Sequence, residues 1–448
     1  MNVKHFILMI ALAAFCTVTA AGKNSAQNKW ITEECGYRLT AGTTAPGAVT
    51  ETGKPFSITI ELSPLKQQTG FFRAEVYLNG IKQKDSKLYE LGKKAEYNFT
   101  ADVPGTVTVI CKILDNNKKA VWKNKGRKAP LALGFGVMVS PEKLSPGLAA
   151  PPEDIDLFWQ KKRAELDQIP IKAQCLNTKK HKSFPGVICK DLRVDCIGKA
   201  VSGYLCMPEN AKPESLPAVV VFDGAGVRSA VPHWQSGRKA ITFAINAHGV
   251  DNGCTPEYYK DIYKKEPLKS YRTGTWKDHN TNYFTGMYIR CMRALDYVKS
   301  LPEWNGKNLI VRGNSQGGAQ ALAAAALDPQ VTLCLASVPS MCDLGARLAN
   351  RLPGGPLPSL SAAQQRDPEL VKEAAYVDNV WLAKRIKASV YLSAGLADNT
   401  CTASSIQVFY NALPADITKD LKLTFTGSHG TSKSPEGNKA VTKAISTR

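Results

Sequence analysis

The sequence predicts an α/β domain, with a mostly parallel central sheet flanked by helices, preceded by an all-β sandwich of immunoglobulin-like size. Two observations carry this reading. Between Trp30 and Val139, short alternating or β-branched runs are separated by Gly, Pro and Asn, which is the period-two pattern of antiparallel strands joined by short turns. From Asp154 onward, continuous apolar runs alternate with segments whose apolar residues recur at three- and four-residue steps, the pattern of strands and helices in an α/β domain. A chain of 448 residues with 44% apolar composition has material for two or three cores, and a disordered, collagenous or small disulfide-stapled protein is excluded.

The elements follow in order. Residues 1–21 read as a secretory signal peptide: Lys4 and His5 precede the apolar run Phe6 to Phe15, and small residues follow through Ala20 and Ala21. The rival reading is a lipoprotein signal at Cys16, but bulky Phe15 stands where that signal wants a small residue. The chain is therefore expected to be exported, to the periplasm or beyond. No later segment has the roughly 18 uninterrupted apolar residues of a membrane span, and none is expected.

Residues 22–140 are expected to form the sandwich. Its strands are Phe56–Leu62, a run from Phe72 to Gly80, and Gly105 to Ile113, with Cys35 and Cys111 as a candidate bridge between sheets. Residues 141–152, rich in Pro, Gly and Ala, read as a linker. Residues 153–448 then form the α/β domain. Ala218 to Phe222 and Ala240 to Ile245 suit strands covered on both faces. Met287, Cys291, Ala294, Leu295, Val298 and Leu301 mark a helix with one buried face, and Asn308 to Arg312 a further buried strand.

Charge and cysteine content narrow the partners. The chain carries 58 Lys+Arg against 38 Asp+Glu, a net charge of +20, and the excess is spread along its length. Nucleic-acid binding would rest on Lys118, Lys119, Lys123, Lys125, Arg127 and Lys128 with Trp122 among them, a run that a solvated sandwich loop explains as well; no nucleic acid is expected. An acidic polysaccharide is compatible with the positive balance. Eleven cysteines remain after Cys16, and none has zinc-site spacing; Cys175, Cys189, Cys196 and Cys206 read as buried strand thiols, with bridges among some of them left open.

Gly313-Asn314-Ser315-Gln316-Gly317-Gly318 fits Gly-x-Ser-x-Gly between the Asn308–Arg312 strand and the alanine-rich helix from Ala319 through Leu327. A serine hydroxyl is a poor nucleophile unless exposed on a sharp turn beside a base, with helix-end amides facing the developing negative charge. The same string could simply be a glycine-rich helix start, but strand before and helix after favour the nucleophile. In such domains an acid and then a histidine follow the serine. Only His429 lies beyond Ser315, in a loop after Leu421 to Phe425, and it is the candidate base. Asp398, after the strand Ala388 to Ala394, is the preferred acid, with Asp343 as competitor after Val331 to Val338. The backbone N–H groups of Gln316 and of Ala225, in the loop Asp223-Gly224-Ala225-Gly226, are candidate oxyanion donors. This chemistry calls for no metal and no cofactor.

From about Glu153 to the C-terminus the chain resembles the acetyl xylan esterase family that also deacetylates cephalosporin C, carbohydrate esterase family seven. The resemblance rests on Phe158-Trp159, Arg293-Ala294-Leu295-Asp296, the Gly313 to Gly318 turn with Ala321 to Leu327, Val338-Pro339 with Cys342-Asp343, and the segment from Gly395 through Asp398 to Cys401. It implies an α/β-hydrolase fold and a serine esterase that removes acetyl groups from sugar hydroxyls, with Ser315, Asp398 and His429 as its triad. The chain departs from the family pattern at His248-Gly249-Val250, where Arg-Gly-Gln is usual, at Gly430, where a Glu follows the histidine, and at Ala225, where a tyrosine is usual. Reaction type therefore carries over better than substrate choice or the family's ring-like homo-oligomer. Two other classes remain open: a serine peptidase of the prolyl oligopeptidase type, and a non-catalytic carbohydrate-binding protein on a decayed hydrolase domain.

Overall fold

A computed structural model describes residues 29–122 and 130–446. The signal-peptide reading of residues 1–21 and the basic positions Lys123, Lys125, Arg127 and Lys128 lie outside the described residues.

The first nine strands form two sheets. One has the order β1 (Lys29–Glu34), β2 (Tyr37–Thr43), β4 (Pro55–Pro64), β7 (Lys94–Thr100), and the other the order β3 (Val49–Thr50), β9 (Ala132–Val139), β8 (Gly105–Leu114), β5 (Phe71–Leu78), β6 (Ile81–Glu90). In β4 alternate side chains Phe56, Ile58, Ile60 and Leu62 are buried, because successive residues of a strand point to opposite faces. They meet Phe72, Val109 and Phe135 from the other sheet in one apolar core. Cys111 lies in that core as a free thiol, so the Cys35–Cys111 bridge is not formed.

The segment 141–152 is fastened through its first half. Asn411 Nδ2 donates to the carbonyl oxygens of Pro141 and Leu144 at 2.8 and 2.9 Å, and Arg351 Nη2 donates to Ser145 O at 2.6 Å. A Cβ on Gly147 would lie 2.1 Å from Gly345 O, so only glycine permits this approach.

The second part is one nine-stranded sheet. Its antiparallel side is β10 (Ala173–Lys180), β11 (Val187–Val194) and β12 (Val201–Pro208), followed by β14 (Ile241–Ile245), β13 (Leu216–Phe222), β15 (Trp304–Asn314), β16 (Leu333–Ser337), β17 (Ser389–Gly395) and β18 (Lys419–Thr424). From β14 to β18 all neighbours are parallel. β13 and β14 are apolar throughout or nearly so because both faces are covered. On one face pack α1 (Ile155–Asp167), α3 (Tyr283–Lys299) and α4 (Gln316–Leu327); on the other lies α8 (Pro435–Ser446), whose Val441 meets Val219, Ile310 and Leu335. Shorter helices α2 (Pro256–Tyr263), α5 (Pro368–Ala375), α6 (Asn379–Leu382) and α7 (Ala403–Ala412) complete the body.

Two of the four clustered cysteines depart from expectation. Cys189 and Cys206 are buried free thiols at facing positions of β11 and β12, but Cys196 is only partly buried and Cys175 is exposed. Cys175 sits on β10, the edge strand, every residue of which is exposed.

The two parts of the chain touch along the loops that leave β17 and β18. Thr108 Oγ1 of β8 donates to Leu396 O at 3.0 Å, and Gly136 N of β9 donates to Phe425 O at 2.9 Å. Trp30 packs edge-on against Phe425 with ring centroids 5.7 Å apart. Gly134 and Gly136 lie so close that a Cβ on either would stand 3.0 Å from Ala397 Cβ or 2.8 Å from Leu396 Cβ.

Candidate active site

Ser315 stands between β15 and α4 with φ 59° and ψ −120°, a conformation a residue bearing a side chain adopts only when its surroundings enforce it. The enforcement comes from glycines. A Cβ on Gly313 would sit 2.1 Å from Gly317 O, and one on Gly317 would sit 2.1 Å from Phe222 O. The turn can therefore press against the end of β13. Ser315 N donates to Ser337 O at 2.9 Å, which fixes the turn to β16. Gln316 opens α4, so its N–H has no acceptor within the helix.

Across the parallel sheet, the loops after β15, β17 and β18 converge at the carboxyl ends of the strands, where open α/β sheets hold their ligands. His429 Nε2 lies 2.9 Å from Ser315 Oγ, and His429 Nδ1 lies 2.8 Å from Asp398 Oδ2. Asp398 is 3% exposed, and its other oxygen accepts from Thr400 N at 2.7 Å and Cys401 N at 3.0 Å. These bonds hold the carboxylate against the imidazole. Burial depresses the His429 pKa, yet the hydrogen bond and charge of Asp398 outweigh it, and the net shift is upward. The buried Cys401 thiol, pushed well up by burial, also contacts Ser315; the sequence names it only as the end of a motif and gives it no role.

Asp343 is elsewhere. It is 1% exposed, pairs with Arg351 Nη2 at 2.8 Å and accepts from Gly147 N at 2.7 Å. It holds the 141–152 segment and does not reach His429, whose Nδ1 is taken by Asp398.

The loop carrying Ala225 borders the serine turn: a Cβ on Gly224 would be 3.3 Å from Asn314 O. Gln320 Nε2 of α4 donates to Asp223 O at 3.0 Å and ties the loop's origin to the helix. Ala225 lines an open cleft with Tyr271, whose hydroxyl donates to Gln316 Oε1 at 3.4 Å. The Asp223 carboxyl is raised to about 6 by burial, which the charge of Arg228 partly offsets. His248, at one of the unusual positions, is buried and lowered to about 3, chiefly by burial and then by Arg290. Its Nδ1 meets the Tyr283 hydroxyl at 2.7 Å and its ring packs edge-on against Tyr271, so it supports the cleft wall.

Residues 145–442 match the profile of the acetyl xylan esterase (AXE1) family. The chain belongs to the acetyl xylan esterase family. It is also 32% identical over 299 residues to acetyl esterase Axe7A of Xylanibacter ruminicola, a match covering 65% of this chain and 66% of that relative's length. Among solved structures, the acetyl xylan esterase from Paenibacillus sp. R4 superimposes with a TM-score of 0.57 at 27% identity, over 68% of this chain and 97% of that one. Acetyl xylan esterase 1 from Thermoanaerobacterium sp. JW/SL YS485 gives 0.54 at 22% identity, over 68% and 96%, and shares the fold. Residues 29–144, which include the whole sandwich, lie outside the family match.

The family's motif residues have structural work. Trp159 Nε1 donates to Tyr376 O at 2.9 Å, and Arg293 Nη2 donates to Leu166 O and Ile169 O at 2.7 and 2.8 Å. Both fasten α1 to the body of the acetyl xylan esterase fold.

Proposed function

We propose that this chain is an exported serine esterase that removes acetyl groups from acetylated polysaccharide or oligosaccharide. In this reading residues 1–21 are a signal peptide, residues 22–140 an accessory sandwich, and residues 153–448 the catalytic domain. The single supporting observation is the His429 ring, within hydrogen-bond distance of Ser315 Oγ on one side and Asp398 Oδ2 on the other.

Asp398 accepts from Nδ1–H, which leaves Nε2 as the acceptor facing the serine. His429 takes the Ser315 proton as Oγ attacks the acetyl carbonyl. The backbone N–H groups of Gln316 and Ala225 hold the tetrahedral oxyanion, and the imidazolium then protonates the departing sugar oxygen. Water, deprotonated by the same imidazole, attacks the acetyl-serine and releases acetate. Each missing oxyanion donor costs on the order of 100-fold in turnover.

The test is acetate release from acetylated xylans, acetylated pectins and small aryl acetates, run beside a peptide substrate. Acetate from xylan, lost in Ser315→Ala, supports the proposal. Full activity of Ser315→Ala on an aryl acetate would overturn the assignment of the nucleophile, and cleavage of the peptide alone would overturn the substrate class.

A further inference from the structure

Beside the Ala225 loop lies a cleft of about 630 Å³, within the size range of small-ligand sites. Acetyl transfer from a neutral sugar does not account for its lining. Tyr259, Tyr263 and Tyr271 form its walls, and three cations border it from three segments: Arg228 from the loop after β13, Lys260 from α2, and Arg272 from the segment before α3. No carboxylate lines it. Among the described residues none of the three cations makes an ion pair, and the Arg228 guanidinium has only a long 3.4 Å hydrogen bond to Ala225 O.

The walls are held in place. Tyr271 is 2% exposed, and the Tyr259 hydroxyl donates to Asp251 O at 2.8 Å. The cleft also communicates with the nucleophile. Ala225 is on its rim, and Tyr271 of its wall donates to Gln316 Oε1, the side chain of the residue after Ser315. A concave site lined by one sign of charge concentrates the opposite charge. Cations without an ion pair beside the exposed Tyr263 ring suit a sugar ring that carries an anion, with the ring's C–H face on that tyrosine and its acid group among the cations.

We infer that this cleft binds a carboxylate carried by the glycan, so that the preferred substrate is an acetylated sugar chain bearing uronic acid close to the acetyl group. The inference rests on the esterase reading for the acetyl group, but not for the binding of the acid.

Binding is therefore measured first on the full chain carrying Ser315→Ala. Calorimetry compares acetylated xylo-oligosaccharides with and without a glucuronic acid branch. The uronate form binds about tenfold more tightly at low salt, and the advantage shrinks as salt is added. Adding Lys260→Gln, on the exposed face of α2, and Arg272→Gln brings the two affinities to within about twofold of each other. Equal affinity in the Ser315→Ala chain, or an advantage that survives both substitutions, overturns the inference. Acetate release by the unsubstituted chain separates the two claims. Equal release from both oligosaccharides together with equal binding leaves the esterase reading standing and removes the cleft. Preferential uronate binding without acetate release from either removes the esterase reading and keeps the cleft.

Discussion

The Thr108 hydroxyl donates to Leu396 O at 3.0 Å, across 288 positions of sequence. Leu396 is two residues before Asp398, and the neighbouring strand of the same sandwich sheet bonds Phe425, four residues before His429. The sandwich thus holds both loops that supply the imidazole and its carboxylate.

Thr108→Val removes that bond with little change of shape. It is expected to cost about 1 kcal/mol of stability. Gly136→Ala is more severe, since its Cβ would meet Leu396 Cβ at 2.8 Å and push the acid's loop away. A small misplacement of a catalytic group costs up to about 100-fold, so kcat on an aryl acetate falls by tenfold or more while circular dichroism stays unchanged. Unaltered kcat in Gly136→Ala would show that the loops hold themselves.

The pH profile should carry the signature of His429. Its pKa lies above the ordinary histidine value because the hydrogen bond and charge of Asp398 exceed the opposing effect of burial. In the proposed mechanism the neutral ring is the base, so kcat/KM is expected to rise with pH through a midpoint above about 6.5. For stability the sign is opposite. A raised folded-state pKa stabilises the fold below the unfolded value, and that contribution is lost as pH rises through the folded one. Asp398→Asn moves the kinetic midpoint downward and lowers kcat by about 10⁴-fold, both measurable by initial rates across pH.

Asp343→Asn separates the two candidate acids. Breaking the buried pair with Arg351 is expected to cost about 3 kcal/mol, read by denaturant unfolding, while kcat at a temperature where the protein is folded stays within a few-fold of the parent. A kcat loss matching that of Asp398→Asn would give Asp343 the catalytic role.

Gly317→Ala places a Cβ 2.1 Å from Phe222 O. The strand end and the helix start must then separate, at an expected cost of about 2 kcal/mol, and Ser315 loses its position. Thermal unfolding and turnover should fall together.

Much of the site was readable because local grammar coincided with chemistry. A buried strand, a Gly-x-Ser-x-Gly turn and an alanine helix placed Ser315, and the single histidine beyond it left one candidate base. The sequence preferred Asp398 to Asp343 without excluding the latter, since both follow strands of the same sheet. Only the fold shows that Arg351 and Gly147 occupy the second. Thr108 and Gly136 gave no signal at all, because each reads as an ordinary interior position of an alternating strand. Arg228, Lys260 and Arg272 were hidden for a related reason: charges scattered over 45 positions converge only when the loop, α2 and the segment before α3 fold together. Cys175 was misread because edge strands alternate as inner ones do, without the covering layer.

The contact of β8 and β9 with the loops after β17 and β18 also sets a timetable. Thr108 precedes the carbonyl it holds by 288 positions, so during synthesis β8 and β9 wait for β17 and β18 before these contacts can form. A nascent chain stopped before Phe425 contains Ser315 but neither His429 nor the carbonyl that Gly136 holds, so on the proposed triad it would lack hydrolytic power until that loop is made.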